Sequence, residues 1–500
     1  MGDRMRLASE CFPQWRARPL GETGPCDTCI CLRLPGQPVI VRRKDTLVPR
    51  SPYIIALLAL LAWLPHATNA QPAGRLIQFG SANRLEEHIQ QRWWDRQQTL
   101  HTWGGLSLIG AQWRASGSAT FEFVTKPITG RLHGSIRIGP LGTYGPDWDE
   151  AYDVLRALSF ARYNPPRTMP LHLRVGTIER MRLGVGHIVS YFSSSVAWDE
   201  RTVGTEFIYA GRTLEVAGFV DNVLLDGVIG GRVAVRPLAG SRRLPLRSAK
   251  IGFNYVTDRT ARLRANTQLT AYNVDLQFDL FASGDIFFAP YVSYAWIKGF
   301  GEGLSLGADL YGNQFLDTFT FRLRLGALYN GKRFIPAYFN TFYTVNNLHA
   351  RVLRSGTDLS DIRPEDLAGV PLDSGRGGNA LLTELHLTIL PNFSNESSHR
   401  YHLGDQPLHE FHTRFFLRTS EHFVVAFGLD RMAEGGYFAF FNPFDDMAAL
   451  VFSTDFRIAG SLHLYLRARY TYEHIGDESA GPRYLVQRRF EPYVGLHFPF

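Results

Sequence analysis

The sequence predicts an all-β fold, a transmembrane antiparallel up-and-down β-barrel of about 16–18 strands, preceded by a short N-terminal helical segment. We take 18 as the expected number of strands. Three observations predict this fold. Long segments alternate apolar and polar residues, an apolar run typical of an export signal precedes them, and the final stretch is the alternating FEPYVGLHFPF (490–500). A period of two places the apolar side chains of a strand on one face.

The composition is that of an average globular protein and argues against a bundle of membrane helices. Hydrophobic residues make up 45% of the 500 residues, and the mean hydropathy is −0.13. Aromatic residues reach 13%, and 47 glycines suit a strand-rich chain with many tight turns. The sequence contains no phosphate-binding loop, which excludes the usual nucleotide-dependent motors and kinases.

Residues 1–70 are predicted to be an upstream segment plus a secretory signal peptide, removed after Ala70. A basic stretch at 42–50 is followed by the apolar run YIIALLALLAWL (53–64) and by small residues before Gln71. This is the order of a signal peptide. The run of about 12 residues is too short to span a bilayer as a helix. An uncleaved N-terminal anchor is the alternative.

Removal of this segment changes the chemistry available to the chain. All four cysteines (Cys11, Cys26, Cys29 and Cys31) lie within it, and no second ligand pair follows to complete a zinc site. We therefore expect no metal and no cofactor. The segment also holds nine basic and five acidic residues, so the net charge falls from +7 to about +3. Nucleic-acid binding is not expected.

Residues 71–103 differ from the rest of the chain and are predicted to be an N-terminal helical leader or plug. Asn83 and Glu86 have the spacing of a helix cap, and apolar residues at helical spacing follow them. We expect a helix at about 84–99. It could lie in the periplasm, in the pore, or in a mobile leader, and it is too short for the N-terminal plug of a TonB-type transporter.

From residue 104 onward the alternating segments are about 10–13 residues long. Soluble strands are usually about 5–6 residues, whereas a tilted membrane strand needs about 9–11. Tyrosines near the strand ends are typical of a lipid–water boundary; they are Tyr255, Tyr272, Tyr329, Tyr470 and Tyr472. Open sheet edges cannot exist in hydrocarbon, so these strands are expected to close into a barrel.

These features resemble a bacterial outer-membrane β-barrel of porin type over residues 104–500. The resemblance implies a bacterial outer-membrane location, contact with outer-membrane lipid, and passage of small polar solutes. It also implies recognition by the barrel-assembly machinery through the terminal strand, in which Leu496, Phe498 and Phe500 match the assembly signal of that class. The oligomeric state is left open.

Basic residues occupy many of the positions that alternation assigns to the lumen. Rings of arginine or lysine favour anions in a pore, which predicts preference for anionic solutes. The alternative is that these residues pair with lumen acids such as Asp275, Asp279 and Glu384 and only brace the wall. The candidates are Arg232, Arg236, Lys250, Arg322, Arg324, Arg414, Arg418, Arg467 and Arg469.

The longest stretch without strand character, at about 344–379, is acidic. If it folds into the lumen, as in the porins that the chain resembles, it forms a charged constriction. The alternative is a loop on the cell surface. The candidate constriction residues are Asp358, Asp361, Glu365 and Asp366.

Three functions are compared. The first is a porin-like channel for passive diffusion of small polar, and in particular anionic, solutes. The second is a non-conducting structural, anchoring or assembly barrel with a blocked lumen. The third is a membrane-embedded hydrolase using His187 with nearby serines or Ser305 in the G-x-S-x-G stretch 303–307, although no helix follows that stretch. We predict that the protein is not an enzyme and has no catalytic residues.

Overall fold

The computed structural model describes residues 98–500, apart from eleven gaps. The gaps are 126–127, 164–170, 260–268, 284, 316–318, 346–376, 390–391, 404–407, 421, 435–446 and 479–480. The predicted signal segment, nearly all of the predicted helix at 84–99 and the four predicted constriction residues therefore lie outside the described residues. No helix among the described residues is long and apolar enough to cross a membrane.

Strands dominate the described part of the chain, with only two short α-helices, α1 (Asp153–Arg156) and α2 (Leu244–Ser248). The strands are β1 Thr99–Ile109, β2 Gln112–Val124, β3 Ile128–Gly139, β4 Gly142–Thr143, β5 Leu158–Tyr163, β6 Leu171–Thr177, β7 Val203–Ala210, β8 Leu214–Val220, β9 Val228–Val235, β10 Lys250–Asp258, β11 Leu269–Gln277, β12 Phe281–Ser283, β13 Ile286–Ile297, β14 Glu302–Phe315, β15 Phe319–Asn330, β16 Gly378–Ile389, β17 Phe393–Leu403, β18 Leu408–Arg418, β19 Phe423–Glu434, β20 Ala448–Ala459, β21 Leu462–Glu478 and β22 Gly481–Pro499. The first strand starts at Thr99, so the barrel begins five residues before the predicted boundary.

The strands form one closed antiparallel barrel in which each strand pairs with its neighbours in sequence. The last strand, β22, pairs with β1 from Thr99–Pro499 to Ile109–Arg489 and closes the sheet. Two of the 22 strands, β4 and β12, are short additions of two and three residues, which leaves 20 strands in the wall. The predicted up-and-down barrel is confirmed.

The expected number of 18 strands was wrong because the strands and turns use fewer residues than we assumed. Strands β5 to β11 have only six to nine residues each. Several connections are also very short, such as 110–111 and 460–461. The chain therefore completes a strand and its turn about every 20 residues, which gives two more strands than expected.

Side chains alternate between the two faces as the sequence predicts. On β10, Ile251 and Phe253 are 47% and 44% exposed on the outside, whereas Lys250 and Asn254 are buried inside. An apolar exterior around a charged interior is the reverse of a soluble protein. It is the distribution that a barrel needs in a lipid bilayer.

Aromatic side chains form a band on the outer surface near one end of the barrel. Tyr272 lies between Tyr255 and Trp296, with ring centroids 5.5 and 5.1 Å away. This agrees with the predicted interfacial tyrosines. Tyr470 and Tyr472 differ from the prediction because both are buried, and Tyr472 packs against Phe342 from inside the barrel.

The two ends of the barrel differ in the length of their connections. Thr99 and Pro499 lie opposite each other at the end where most turns are short. The longest connections, at 178–202 and 331–377, lie at the other end. Long loops mark the extracellular end of an outer-membrane barrel, and both of these connections enter the lumen from that end.

Candidate functional site

The lumen contains a plug made of two segments of the chain itself. The long plug segment, 178–202, connects β6 to β7, and the short plug segment, 331–345, follows β15. Most of their residues are buried. A wall of 20 strands is wide enough for an open aqueous channel, so the plug determines how much of that width remains.

The two plug segments form one unit through backbone hydrogen bonds. Val189 and Phe339 make a parallel β-bridge. Phe339 donates its N–H to the carbonyl of Ile188 at 3.2 Å, and its own carbonyl accepts the N–H of Ser190 at 3.2 Å. These bonds satisfy backbone groups that would otherwise be unpaired in a dry interior.

An apolar cluster seals the plug against one side of the wall. The wall there carries small or branched residues such as Ala217, Val256, Ala271 and Ala295, which leave room for the plug. The plug supplies larger side chains. They are Ile178, Met181, Leu183, Ile188, Val189, Phe192, Phe334, Tyr338, Phe339 and Tyr343. Moving this side of the plug would expose these apolar side chains to water, which is unfavourable in free energy.

Backbone strain is concentrated in the plug. Five non-glycine residues in the described part of the chain have a positive φ, and four of them lie in the plug segments. The four are Arg180 (φ 54°), Tyr191 (φ 56°), Arg333 (φ 64°) and Ala337 (φ 48°). Such conformations cost of order 1–3 kcal/mol each and gather at functional sites.

Ion pairs hold the plug to the wall opposite the apolar cluster. Arg180 contacts Glu396 of β17 at 3.0 Å, and Arg182 forms a very short ion pair with Glu384 of β16. The ring of Tyr191 stacks on that of His412 at 4.2 Å. Burial and the nearby Glu384 raise the pKa of Tyr191, which therefore stays neutral.

The nine predicted lumen bases all lie on strands or connections of the wall, and six of them are paired with acids. Arg232, Arg236 and Lys250 converge on Glu215 at 3.2, 3.6 and 3.2 Å. Arg232 also pairs with Asp275. The remaining pairs are Arg322–Asp309 at 3.2 Å, Arg324–Asp309 at 2.7 Å and Arg414–Asp430 at 2.6 Å. These six side chains therefore form ion pairs that can brace the wall.

The other three predicted bases have different surroundings. Arg469 stacks over the ring of Trp198 at 3.4 Å, and Arg467 donates to the hydroxyl of Tyr465 at 2.6 Å. Arg418 is half-buried near the end of β18. Whether any of the nine selects anions stays a prediction.

The open space in the lumen lies on the side away from the apolar cluster. We call it the arginine cavity; it encloses about 900 Å³, part of it open to solvent. Five arginines and two glutamates line it, so its lining carries more positive than negative groups. These seven are Arg131, Arg137, Arg174, Arg201, Arg467, Glu179 and Glu491.

Aromatic rings hold the cavity arginines in place. The guanidinium groups of Arg131 and Arg174 lie over the ring of Phe160 at 5.1 and 5.4 Å, and Arg467 lies over Tyr465 at 5.1 Å. Acids already pair with three of the five cavity arginines: Glu122 with Arg131 at 2.6 Å, Glu491 with Arg137 at 2.9 Å, and Glu206 with Arg174 at 3.9 Å. Guanidinium groups at the cavity surface are the donors that carboxylate and phosphate oxygens prefer.

Sequence reasoning missed most of these arginines although the pattern was present. In ITGRLHGSIRIG (128–139), Arg131 and Arg137 alternate with outward residues such as Leu132 and Ile136. This is the same period of two that identified Arg322 and Arg324. Arg201 could not be found this way because it lies in the plug.

Part of the long plug segment separates the arginine cavity from a second cavity. We call residues 193–202 the arm. Trp198 and Arg201 line the arginine cavity, whereas Ser195 and Val196 line the second cavity of about 570 Å³. Glu179 lines both cavities and accepts a hydrogen bond from Ser195 at 3.3 Å. The arm is therefore a partition between two spaces.

Polar contacts fix the arm to β21 and β22. The N–H of Trp198 donates to the hydroxyl of Thr471 at 3.2 Å. Asp199 forms a very short ion pair with Arg489 and accepts the hydroxyl of Tyr144 at 2.8 Å. Burial and the adjacent Asp199 raise the pKa of Tyr144, so Tyr144 remains a hydrogen-bond donor.

The geometry does not support the hydrolase alternative. His187 Nδ1 lies 3.1 Å from the hydroxyl of Ser293, but its Nε2 is buried with no hydrogen-bond partner among the described residues. A triad needs a third group there to orient the ring. Burial, followed by nearby Arg400, lowers the pKa of His187 to about 3. Ser305 lies within β14, so its motif is not a strand-to-helix elbow.

The predicted assembly residues lie on the outer face of β22. Leu496, Phe498 and Phe500 are 43%, 44% and 66% exposed. Their recognition by the assembly machinery stays a prediction. Among the described residues, no group of three or more histidine, cysteine or acidic side chains is placed to hold a metal ion.

Comparisons with known proteins give structural similarity only. No family model matches the chain, and no curated protein matches it. Among solved structures, the chain is similar to Wzi of Escherichia coli, described as a carbohydrate-binding β-barrel involved in capsule assembly. The identity is 10%, covering 81% of this chain and 85% of that one, with a TM-score of 0.31.

Two barrels of Pseudomonas aeruginosa are similar to the same degree. OpdK is 8% identical in sequence, and the alignment covers 81% of this chain and 99% of OpdK, with a TM-score of 0.31. OccK8 is 10% identical, and the alignment covers 81% of this chain and 98% of OccK8, with a TM-score of 0.30. Such low values carry no argument about function. The closed wall of 20 strands, apolar outside and charged inside, is itself the structure of a bacterial outer-membrane β-barrel.

Proposed function

We propose that the protein is a narrow outer-membrane channel for small polar solutes, with a preference for anions. The observation that carries the proposal is the arginine cavity, whose lining has five arginines against two glutamates. The plug fills the opposite side of the lumen, so solutes would pass along the arginine-lined wall. The acids Glu122 and Glu206, which pair with Arg131 and Arg174, are not part of this lining. A solute in the cavity therefore meets more guanidinium than carboxylate groups, which favours anions.

Ion conductance in planar bilayers tests this proposal. We expect small single-channel currents, because the plug leaves only part of the barrel open. In a salt gradient we expect a reversal potential whose sign shows that anions carry most of the current. Cation preference or the absence of current would contradict the proposal.

Two cavity arginines that donate hydrogen bonds to neutral oxygens are suited to neutralisation by mutation. Arg201 donates to the carbonyl of Trp198 at 2.9 Å, and Arg467 donates to the hydroxyl of Tyr465. The double variant Arg201→Gln/Arg467→Gln should lower the anion-to-cation permeability ratio several-fold. Arg212→Gln is the matched control, because Arg212 is exposed in the turn between β7 and β8, outside the lumen.

A second candidate is a barrel whose lumen stays closed, serving as an anchor or assembly platform. The observation that favours it is the reach of the plug, which contacts the wall at Ser293 on one side and at Arg489 on another. In that case the intact protein gives no current, and current appears only when the plug contacts are removed.

A further inference from the structure

The arm is held differently from the rest of the plug. The apolar cluster anchors the plug to β7–β13 through ten large plug side chains. The arm contributes two apolar residues, Val196 and Ala197, to a smaller cluster. Its other contacts to the wall are polar, apart from the ring of Trp198, which stacks on the guanidinium group of Arg469 at 3.4 Å. Moving the arm alone exposes little apolar surface, whereas moving the whole plug exposes a great deal.

The position of the arm determines whether the lumen is continuous. With the arm in place, the arginine cavity and the second cavity share Glu179 but are separated by residues 193–202. Displacement of the arm would join the two spaces. The strained backbone of Tyr191, two residues before the arm, marks the point where such a displacement can begin.

The Asp199–Arg489 tether of the arm lies beside the arginine cavity, with Asp199 on the side that faces open space. Asp199 lines a third space that shares six lining residues with the arginine cavity. Breaking the buried Asp199–Arg489 pair would leave an uncompensated charge, which carries a large cost in free energy. An oxyanion that takes the place of the Asp199 carboxylate beside Arg489 removes most of that cost, because guanidinium groups bind carboxylates and phosphates in the same way.

We propose that the arm is a gate that small oxyanions open by competing with Asp199 for Arg489. The apolar cluster stays in place and acts as the fixed anchor of the gate. This inference rests on the proposed function, since it supplies the regulation of the same pathway. It differs from a permanently closed barrel because it requires the arm to move while the remainder of the plug does not.

Single cysteines report on this movement. All four cysteines of the sequence lie at positions 11–31, so the barrel has no thiol of its own. Ala197→Cys places a thiol on the buried arm, and Ala295→Cys places one under the apolar cluster, where the residue is 0% exposed. Ser118→Cys, in the arginine cavity, is the accessible control. The readout is the rate at which a water-soluble thiol reagent labels the introduced thiol of the protein in lipid vesicles, with Cys11, Cys26, Cys29 and Cys31 replaced by serine.

We expect inorganic phosphate, at ionic strength held constant with sodium chloride, to speed the labelling of Cys-substituted Ala197 several-fold. Asp199→Asn in the same background should raise the rate without phosphate. Labelling at positions 118 and 295 should not change in either case. Labelling at 118 shows that the reagent is active, and slow labelling at 295 shows that the barrel is folded.

Three results would overturn the inference. No effect of Asp199→Asn on labelling at 197 would show that this tether does not hold the arm. An effect of Asp199→Asn without any effect of phosphate would remove the oxyanion as the trigger. Faster labelling at 295 together with 197 would show that the whole plug leaves or the protein unfolds. None of these readouts depends on ion selectivity, so the proposed function can fail while the gate stands.

Discussion

The two sides of the lumen are built from the same wall but contain different interiors. On the β7–β13 side, small wall residues such as Ala271 and Ala295 accept the apolar cluster of the plug. On the side of β1–β6 and β20–β22, arginines and hydroxyl residues face a space that the plug does not fill. The β7–β13 side therefore provides stability, and the other side keeps the volume and charge that a solute can use.

The largest effect should come from opening a hole in the apolar cluster. Phe339 is fully buried and bridges the two plug segments. We expect Phe339→Ala to lower the free energy of unfolding by about 3–5 kcal/mol, since it removes a large buried side chain and leaves a cavity. The loss is measured by unfolding the protein in urea and reading the folded fraction from the mobility of unheated samples on a gel.

A matched variant on the cavity side tests whether the two sides of the lumen differ in their contribution to stability. Trp198 is half-buried and its ring is held mainly by the guanidinium groups of Arg469 and Arg201, at 3.4 and 4.6 Å. Trp198→Ala should cost only about 1–2 kcal/mol. If it costs as much as Phe339→Ala, the division between a stabilising and a functional side is wrong.

An intermediate effect is expected from acid, through His187 of the apolar side. Its pKa is about 3 in the folded protein, because burial and then Arg400 oppose its charge, while Asp275 acts weakly in the other direction. The unfolded chain has the ordinary value of about 6.5 and binds more protons below it. Stability is therefore lost as the pH falls from about 6.5 towards 3. Between pH 7 and 5 we expect a loss of about 2 kcal/mol.

The control is His187→Gln, which removes the titrating group but keeps a polar side chain near Ser293. The pH dependence of the free energy of unfolding should be smaller in the variant by that amount. Equal pH dependence in the two proteins would show that His187 is not sealed from water, and the apolar side would then be less closed than the structure indicates.

Sequence reasoning found the wall and missed the plug for a physical reason. Alternation is a local property of a strand, so Lys250, Ile251 and Phe253 could be assigned to faces from the sequence. The plug depends on contacts between distant residues, such as His187 with Ser293, which are 106 positions apart. The stretch LGVGHIVSYFSSS (183–195) has no strand or helix period that would place it in the lumen.

In the candidate site too, residues of the wall could be assigned from the sequence and residues of the plug could not. Arg467 and Arg469 were assigned to the lumen because they alternate along β21, and they line the arginine cavity and the second cavity. Trp198, whose ring stacks on Arg469, was not predicted, because only the arm brings it to β21. The number of strands was underestimated for a different reason. Strands such as β6 and β8 have only seven residues, so more strands fit into the same length of chain.

The smallest thermodynamic effect should come from the outer face of the cavity side. Phe500 stacks on Phe121 with centroids 6.0 Å apart and is 66% exposed on the outer face. Phe500→Ala should lower the free energy of unfolding by about 1 kcal/mol, the value of one aromatic pair. Conductance and selectivity should not change, because the side chain does not touch the cavity. Slower insertion of the variant by the assembly machinery, with an unchanged final current, would separate a role in assembly from a role in transport. A changed current would instead show that the cavity depends on the closing seam between β1 and β22, and the functional side would then extend to the outer face.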